Sequence, residues 1–258
     1  MKIILRIFFV SLITFQLLSA QGVAGTNAKY ELRSLIDMPT AGMLDKGFVG
    51  ASIDLLPFGV LITKIEIGVF SNFSFGISYG ASNLIGTGDP KWYDLPGVNV
   101  KFRILNERLR FPAIALGFDS QGKGLYFKNL NRYEIKSPGF YLVTSKNFDL
   151  LGYLSFHGMV NYSVEGDDGD KDIDLQIGAE KTLGPQVSLI AEYDLGINDN
   201  TGSAIGKGKG YLNFGLRWSV GSWFNVGLDL RNVLNNKNLE GTHPVDRAIY
   251  IEYVKGLF

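Results

Sequence analysis

The chain has 258 residues, with 25 Lys and Arg against 25 Asp and Glu, and it contains no cysteine. The balanced charge gives no electrostatic reason to expect a nucleic-acid partner, and the lack of cysteine excludes disulfides, thiolate catalysis and cysteine-ligated zinc. With 32 glycines, 13% aromatic residues and only 8 prolines, the composition suits one domain of many short, tightly turned strands.

The first 22 residues have the features of a secretory signal peptide. Lys2 and Arg6 flank the start of an apolar stretch, Ile7 to Leu18, which small residues follow. This stretch is shorter than the ~20 residues that a membrane-spanning helix needs, although an uncleaved anchor is the alternative. We predict a signal peptide at 1–22 and an N-terminal periplasmic segment at 23–46.

Alternation of apolar and polar residues predicts twelve strands in the remaining 47–258. The clearest example is "FSFGISYGAS", from Phe73 to Ser82. Most of the predicted strands have close to the ~9 to 11 residues that a tilted strand needs to cross a bilayer. Their ranges are 47–56, 60–70, 73–85, 97–105, 109–119, 138–147, 152–164, 172–182, 187–197, 210–220, 223–233 and 247–257.

The connections between these strands alternate in length. Short turns such as Ser71-Asn72 and Gly221-Ser222 alternate with longer polar loops such as 120–137 and 198–209, and only the short connection 57–59 departs from this order. Outer-membrane barrels have short turns in the periplasm and longer loops outside the cell. Loop length therefore favours a barrel over a soluble β-sandwich, which would show the same alternation within its strands.

The predicted fold is all-β: a single antiparallel transmembrane β-barrel of about twelve strands in the bacterial outer membrane. One face of the strands is apolar and aromatic, whereas the other carries the charged residues. Pro112 lacks a backbone donor and predicts an irregular wall near the fifth strand. The expected partners are outer-membrane lipid, lipopolysaccharide and the outer-membrane assembly machinery, for which the terminal Phe258 resembles a signal.

The charged and polar face supplies the candidate site, a lumen. Its residues either form a cross-strand ladder of opposite charges that fills the barrel, or line a path for solutes. The pattern predicts no cofactor and no metal site. The candidate lumen residues are Lys64, Glu66, Lys101, Arg103, His157, Asp174, Glu180, Glu192, Asp194, Arg217, Asp229 and Arg231.

Two further features allow other chemistry. His157 shares a strand face with Ser155, which leaves a lipid hydrolase open, although no nucleophile motif surrounds the serine. Asp168, Asp170 and Asp172 are spaced like the start of a calcium loop, but Ile173 stands where the loop needs glycine. We therefore expect a solvated acidic loop there, with loose contact to divalent cations as the alternative.

Two parts of the sequence resemble a known family. "LIDMPTAGMLDKG" (Leu35 to Gly47), and "PAIALGFDSQGKGLYF" (Pro112 to Phe127) followed by "YLVTSKNF" (Tyr141 to Phe148), resemble the YjbH-like outer-membrane proteins associated with exopolysaccharide biosynthesis. The resemblance implies an outer-membrane location and a role in polysaccharide export or surface assembly, and it supplies no catalytic residues.

The sequence thus predicts a protein that is not an enzyme. Assistance in exopolysaccharide export or surface assembly is the first reading of its function. A porin-like channel for small solutes is the alternative, and a lipid hydrolase is a more distant one.

Overall fold

The computed structural model describes residues 31–239 and 244–257, so the predicted signal peptide, residues 23–30 and Phe258 lie outside the described residues. No helix in these two ranges is long and apolar enough to cross a membrane. A 3-10 turn at Ile197–Asp199 interrupts one loop. The strands in the described ranges are β1 (Phe48–Leu56), β2 (Val60–Phe70), β3 (Phe73–Ser82), β4 (Lys91–Trp92), β5 (Gly97–Leu105), β6 (Ala113–Asp119), β7 (Lys123–Phe127), β8 (Arg132–Ile135), β9 (Gly139–Asp149), β10 (Tyr153–Tyr162), β11 (Asp174–Thr182), β12 (Val187–Asp194), β13 (Tyr211–Val220), β14 (Phe224–Arg231) and β15 (Asp246–Gly256).

Twelve of these strands close into an antiparallel barrel. Each pairs with the next along the chain, and β6 pairs with β9 because the hairpin β7–β8 forms a separate sheet. The seam joins the first strand to the last, from Phe48 opposite Gly256 to Leu55 opposite Ile249. The two-residue β4 only extends the edge of β3. The prediction of a twelve-stranded barrel is confirmed, while β4, β7 and β8 lie in segments predicted to be loops.

The outer surface of the barrel is apolar all the way round. Every barrel strand exposes at least one large apolar side chain, for example Ile65 on β2 and Ile177 on β11, each more than half exposed. Neighbouring inward residues such as Glu66 are buried. A closed cylinder that satisfies its own backbone and turns apolar residues outward is a structure that a bilayer accepts. The protein is therefore a barrel of the bacterial outer membrane.

The wall is irregular where Pro112 predicted it to be. A register shift separates Arg103 from Leu105 on β5, and β6 begins at Ala113, directly after the proline. Because proline has no N–H for the ladder, the strand predicted at 109–119 cannot start before that point. The residues from 106 to 112 instead form a longer periplasmic connection.

The interior of the barrel contains residues 31–44, part of the segment 23–46 that was predicted to lie in the periplasm. This segment, here called the plug hairpin, turns back on itself: Leu35 N–H donates to Met38 O over 2.9 Å, and Thr40 N–H donates to Arg33 O over 3.0 Å. Its apolar side chains are buried against inward residues of the wall, including Val143 on β9. Enclosing these side chains removes from water a surface that a periplasmic linker would expose.

Candidate functional site

All twelve predicted lumen residues lie on barrel strands, and most are buried. Six of them contact the plug hairpin, and the others contact the wall or one another, so their assignment to a solute path stays a prediction. The six that contact the plug hairpin are Glu66, Lys101, Arg103, Glu192, Arg217 and Arg231.

Glu192 holds the tip of the plug hairpin. Its carboxylate accepts hydrogen bonds from three consecutive backbone N–H groups, those of Ile36 (2.9 Å), Asp37 (3.0 Å) and Met38 (3.0 Å). Asn213 Nδ2 donates to the same carboxylate over 3.0 Å. A turn of the chain presents successive amides to one anion here, as backbone nests do for bound anions. Charge-assisted bonds of this kind are among the stronger hydrogen bonds in proteins.

Basic wall residues bind oxygen atoms of the plug hairpin. Lys101 Nζ donates to the carbonyl groups of Arg33, Thr40 and Gly42 over 3.0 to 3.1 Å. Arg217 Nη2 donates to a further plug carbonyl over 2.7 Å. The backbone polar groups of the enclosed segment thus find partners on the wall, as buried polar groups must.

Two carboxylates of the plug hairpin pair with arginines of the wall. Arg231 Nη2 lies 2.6 Å from Asp37 Oδ1 near the extracellular end. Arg103 Nη2 lies 3.2 Å from Glu31 Oε2 near the periplasmic end. Burial raises the pKa of Glu31 from its usual range, even though Arg103 opposes this shift.

The basic residue of the plug hairpin pairs with acids of the wall. Arg33 forms an ion pair with Glu252, and its Nη1 lies 3.8 Å from Glu66 Oε2. The guanidinium lies against Gly50, where an added Cβ would stand 2.4 Å from Nη1. Each of the charged residues of the plug hairpin, two acids and one base, thus meets the opposite charge on the wall.

The cross-strand ladder of opposite charges, one of the two arrangements that the sequence allowed, is present only in part. Arg217 pairs with Asp229 on the adjacent strand β14, whereas Arg231 pairs with the plug hairpin. Glu192 is occupied by plug amides. The plug hairpin supplies partners that a sequence of strands alone does not reveal, so charges on adjacent strands need not pair with each other.

A second group of elements covers the extracellular mouth. Arg132 is completely buried and lies 2.7 Å from Asp168 and 2.6 Å from Asp199. Lys237 pairs with Glu134. These contacts join four connections, here called the lid: the hairpin β7–β8 and the loops 163–173, 195–210 and 232–239.

The acidic loop that was predicted to be solvated is part of this lid. Asp168 and Asp170 are buried. Burial alone would raise the pKa of Asp170, but hydrogen bonds from the backbone N–H groups of Asn200, Thr201 and Asp172 outweigh it and lower that pKa. The carboxylate therefore fastens the loop after β10 to the loop after β12.

Aromatic residues join the hairpin β7–β8 of the lid to the segment around β4. Tyr133 makes edge contacts with Tyr93 and Tyr126, with ring centroids 4.9 Å apart in each pair. Tyr93 donates its hydroxyl to Gly124 O over 2.6 Å. Trp92 stacks on Tyr79 at 5.7 Å. The buried tyrosines thus pack against one another, and their ring faces are not available to an external ligand in this state.

A cavity of about 80 Å³ remains between the plug hairpin, the lid and the wall of β1, β2, β3 and β5. It has room for only a few water molecules, since each occupies about 30 Å³ in the liquid. Charged groups of both signs line it, among them Lys64, Glu66 and Lys101. In the state described here, this cavity is of a size for water and not for a larger solute.

His157 does not form the arrangement considered for a hydrolase. Its Nδ1 lies 2.8 Å from Ser145 Oγ on β9, not from Ser155. Ser145 also accepts the backbone N–H of Ala41, so the pair lies beneath the plug hairpin. No carboxylate of the described ranges hydrogen-bonds to the imidazole. Strand alternation alone does not show that Ser145 is the inward neighbour of His157, because that requires the register between β9 and β10.

The fold is similar to those of solved outer-membrane proteins. The KdgM porin is 9% identical with a TM-score of 0.49 over 80% of this chain and 98% of that chain. The NanC porin is 10% identical, with a TM-score of 0.44 over 81% and 98%. The Acinetobacter baumannii outer membrane protein Omp33 is 10% identical, with a TM-score of 0.45 over 82% and 98%.

Comparisons of sequence find no relative. Neither a protein-family model nor a curated protein sequence matches the chain. The resemblance to YjbH-like proteins therefore stays a prediction.

Proposed function

We propose that the protein is an outer-membrane channel for small hydrophilic solutes, and that the plug hairpin closes it. The proposal rests on the types of interaction between the plug hairpin and the wall. The contact consists of hydrogen bonds, ion pairs and apolar packing with no covalent link, and nearly every polar contact joins a charged wall residue to the plug hairpin. When the plug hairpin leaves, those residues line a polar lumen.

The charges of the wall suit the passage of water-soluble molecules. An empty lumen would present charges of both signs on its wall, with Glu66 on the same side as Lys101 and Glu192 near Arg231. A narrow hydrated path needs such groups because an apolar constriction excludes water. Ionised groups in a permanently filled interior are, in contrast, often no more stabilising than well-packed apolar residues.

The first experiment removes the plug hairpin. A variant that joins residue 30 to residue 45 is refolded in detergent and tested in planar bilayers beside the unaltered protein. We expect a steady ionic conductance from the variant and only brief openings from the unaltered protein. A folded deletion variant that does not conduct, either alone or with Arg132→Met to loosen the lid, would refute the proposal.

A second experiment keeps the chain intact. An added Cβ at Gly178 would stand 2.2 Å from Leu35 Cδ1, which places the two residues within reach of a disulfide when both become cysteine. Because the natural sequence has no cysteine, Leu35→Cys with Gly178→Cys gives one defined crosslink. Oxidation should abolish openings and dithiothreitol should restore them. Openings that persist after complete oxidation would show that solutes do not follow the path of the plug hairpin.

A role in polysaccharide export or surface assembly is the second candidate. The stretches that resemble YjbH-like proteins contact one another: Leu35 and Met38 of the plug hairpin share an apolar cluster with Ala113 of β6 and Tyr141 of β9. The two stretches therefore form one packed unit in this protein. The test is deletion of the gene and measurement of surface polymer, and an unchanged amount of polymer would contradict this role.

A further inference from the structure

Four inward side chains meet near the extracellular ends of β10, β11 and β12. Asn161 on β10 stands directly opposite Asp174 on β11, and Gln176 on β11 stands directly opposite Asp194 on β12. Directly opposed residues of antiparallel strands have Cβ atoms about 4.5 to 5.5 Å apart. All four residues are at most 7% exposed, so their polar atoms must find partners within the protein.

Three of the four residues have an oxygen without a partner. Asn161 Nδ2 donates to Pro138 O over 3.1 Å, and Gln176 Nε2 donates to Asp194 Oδ2 over 3.2 Å. These bonds fix both amides and leave Asn161 Oδ1 and Gln176 Oε1 unpartnered, together with Asp174 Oδ2. Buried oxygens without a donor are rare in folded proteins, and a bound ion or an ordered water molecule is a common explanation for a group of them on adjacent strands.

The two carboxylates add negative charge to this group of oxygens. Asp174 and Asp194 interact directly with each other, and neither forms an ion pair with a lysine or arginine of the described ranges. Buried charges are normally paired or bound to a metal, because an isolated one is costly. A bound cation would both provide these oxygens with a partner and offset the charge of the two carboxylates.

We propose that Asn161, Asp174, Gln176 and Asp194 bind a calcium ion. Calcium takes six to eight oxygen ligands from carboxylates, amide carbonyls and water, in flexible geometry. Two carboxylates balance its charge, and the amide oxygens complete the protein part of the shell. Among the described residues, no group of three or more His, Cys, Asp or Glu side chains forms a metal site, and this site draws half of its ligands from amides.

The remaining carboxylate oxygens are held by the loop that follows β12. Asp194 Oδ1 accepts the backbone N–H of Gly196 over 2.7 Å, and Asp174 Oδ1 accepts that of Ile197 over 2.8 Å. The bonds hold both carboxylates, including the unpartnered Asp174 Oδ2, in place before any ion binds, which lowers the entropic cost of binding. A bound calcium ion would therefore also fix the base of the 195–210 loop, which belongs to the lid.

Calcium binding to refolded, lipopolysaccharide-free protein tests the proposal. After treatment with EDTA, the protein is titrated with CaCl₂ and its bound calcium and thermal midpoint are measured. We expect one calcium ion per chain, an affinity on the order of 10⁻⁴ to 10⁻³ M as in extracellular calcium modules, and a midpoint that rises by several degrees at saturation.

The matched variant is Asp174→Asn with Asp194→Asn, which keeps the size of both side chains and removes their repulsion. Because the repulsion is gone, this variant should fold, should unfold in EDTA at a higher temperature than the unaltered protein, and should not respond to calcium. Glu180→Gln, on the same strand, should bind calcium as the unaltered protein does. The proposal would be overturned if the unaltered protein and the double variant had equal calcium content and neither had a calcium-dependent midpoint. That result is expected if the two carboxylates share a proton instead of binding an ion.

Discussion

Truncation of Glu192 to alanine should release the tip of the plug hairpin. The carboxylate accepts three backbone hydrogen bonds from Ile36, Asp37 and Met38 in a buried site. Hydrogen bonds to a charged group contribute about 1.5 to 3 kcal/mol each, and breaking a buried charged contact by removing one partner costs about 3 to 5 kcal/mol. We take the lower total of about 3 to 5 kcal/mol, since the released amides can bind water that enters. The equilibrium for undocking of the plug hairpin should rise between about 10² and 10⁴-fold.

Hydrogen exchange measures this change without any assumption about transport. In Glu192→Ala the amides of residues 36–38 should exchange faster by that factor, and channel openings in planar bilayers should become more frequent. Glu192→Gln keeps one acceptor oxygen and should give an intermediate effect. Glu180→Ala removes a carboxylate from the neighbouring strand that does not contact the plug hairpin, and it should change neither measurement. Unaltered protection of residues 36–38 in folded Glu192→Ala would show that the Glu192 carboxylate does not hold the plug hairpin.

Three other perturbations probe the remaining contacts. Arg231→Asp should increase openings by placing like charges together, and adding Asp37→Arg should reverse most of that increase; a double variant as open as the single one would contradict direct pairing. Arg132→Met removes the side chain that bridges two buried carboxylates, which should destabilise the lid by about 3 to 5 kcal/mol. The lid should then become sensitive to protease, and a lid as resistant as that of the unaltered protein would argue against the bridge. Because the pKa of Asp170 is lowered in the folded state, its stabilising contribution is present above the ordinary aspartate pKa of about 3.9 and is lost as pH falls through the lower folded value. The lid should therefore stay protease-resistant at pH 5 and loosen below about pH 4, and Asp170→Asn should remove that pH dependence.

Strand alternation and loop length were enough to predict the barrel, because lipid imposes a period of two on every strand that it contacts. The ends of the strands shifted by a few residues, as at β3, which was predicted to run to 85 and ends at Ser82. Residues of the lid escaped prediction for a different reason. The hairpin β7–β8 is held by long-range contacts such as that between Arg132 and Asp199, which no local pattern encodes.

The plug hairpin is the main feature that the sequence left unpredicted. Leu35, Ile36 and Met38 show no strand alternation, and a short apolar segment outside a strand has no period from which a binding surface can be inferred. The inward charges were found, since parity alone places Lys101 and Glu192 on the inner face. Their partners were not, because a chain of fourteen residues that enters the lumen changes which charges meet. Gly178 makes room for Leu35 because it has no side chain. The contact between this glycine and the plug hairpin can be recognised only once the structure is known.

The plug hairpin continues almost directly into the wall that it blocks. Only Asp45, Lys46 and Gly47 separate its last residue from β1, and three extended residues span about 10 Å. A displaced plug hairpin therefore stays at the periplasmic opening, where so short a tether keeps its local concentration at the millimolar level or above. Reclosure is then a first-order step whose rate does not depend on the amount of the protein. A free peptide of the same sequence would compete for the lumen only at concentrations comparable to this local concentration.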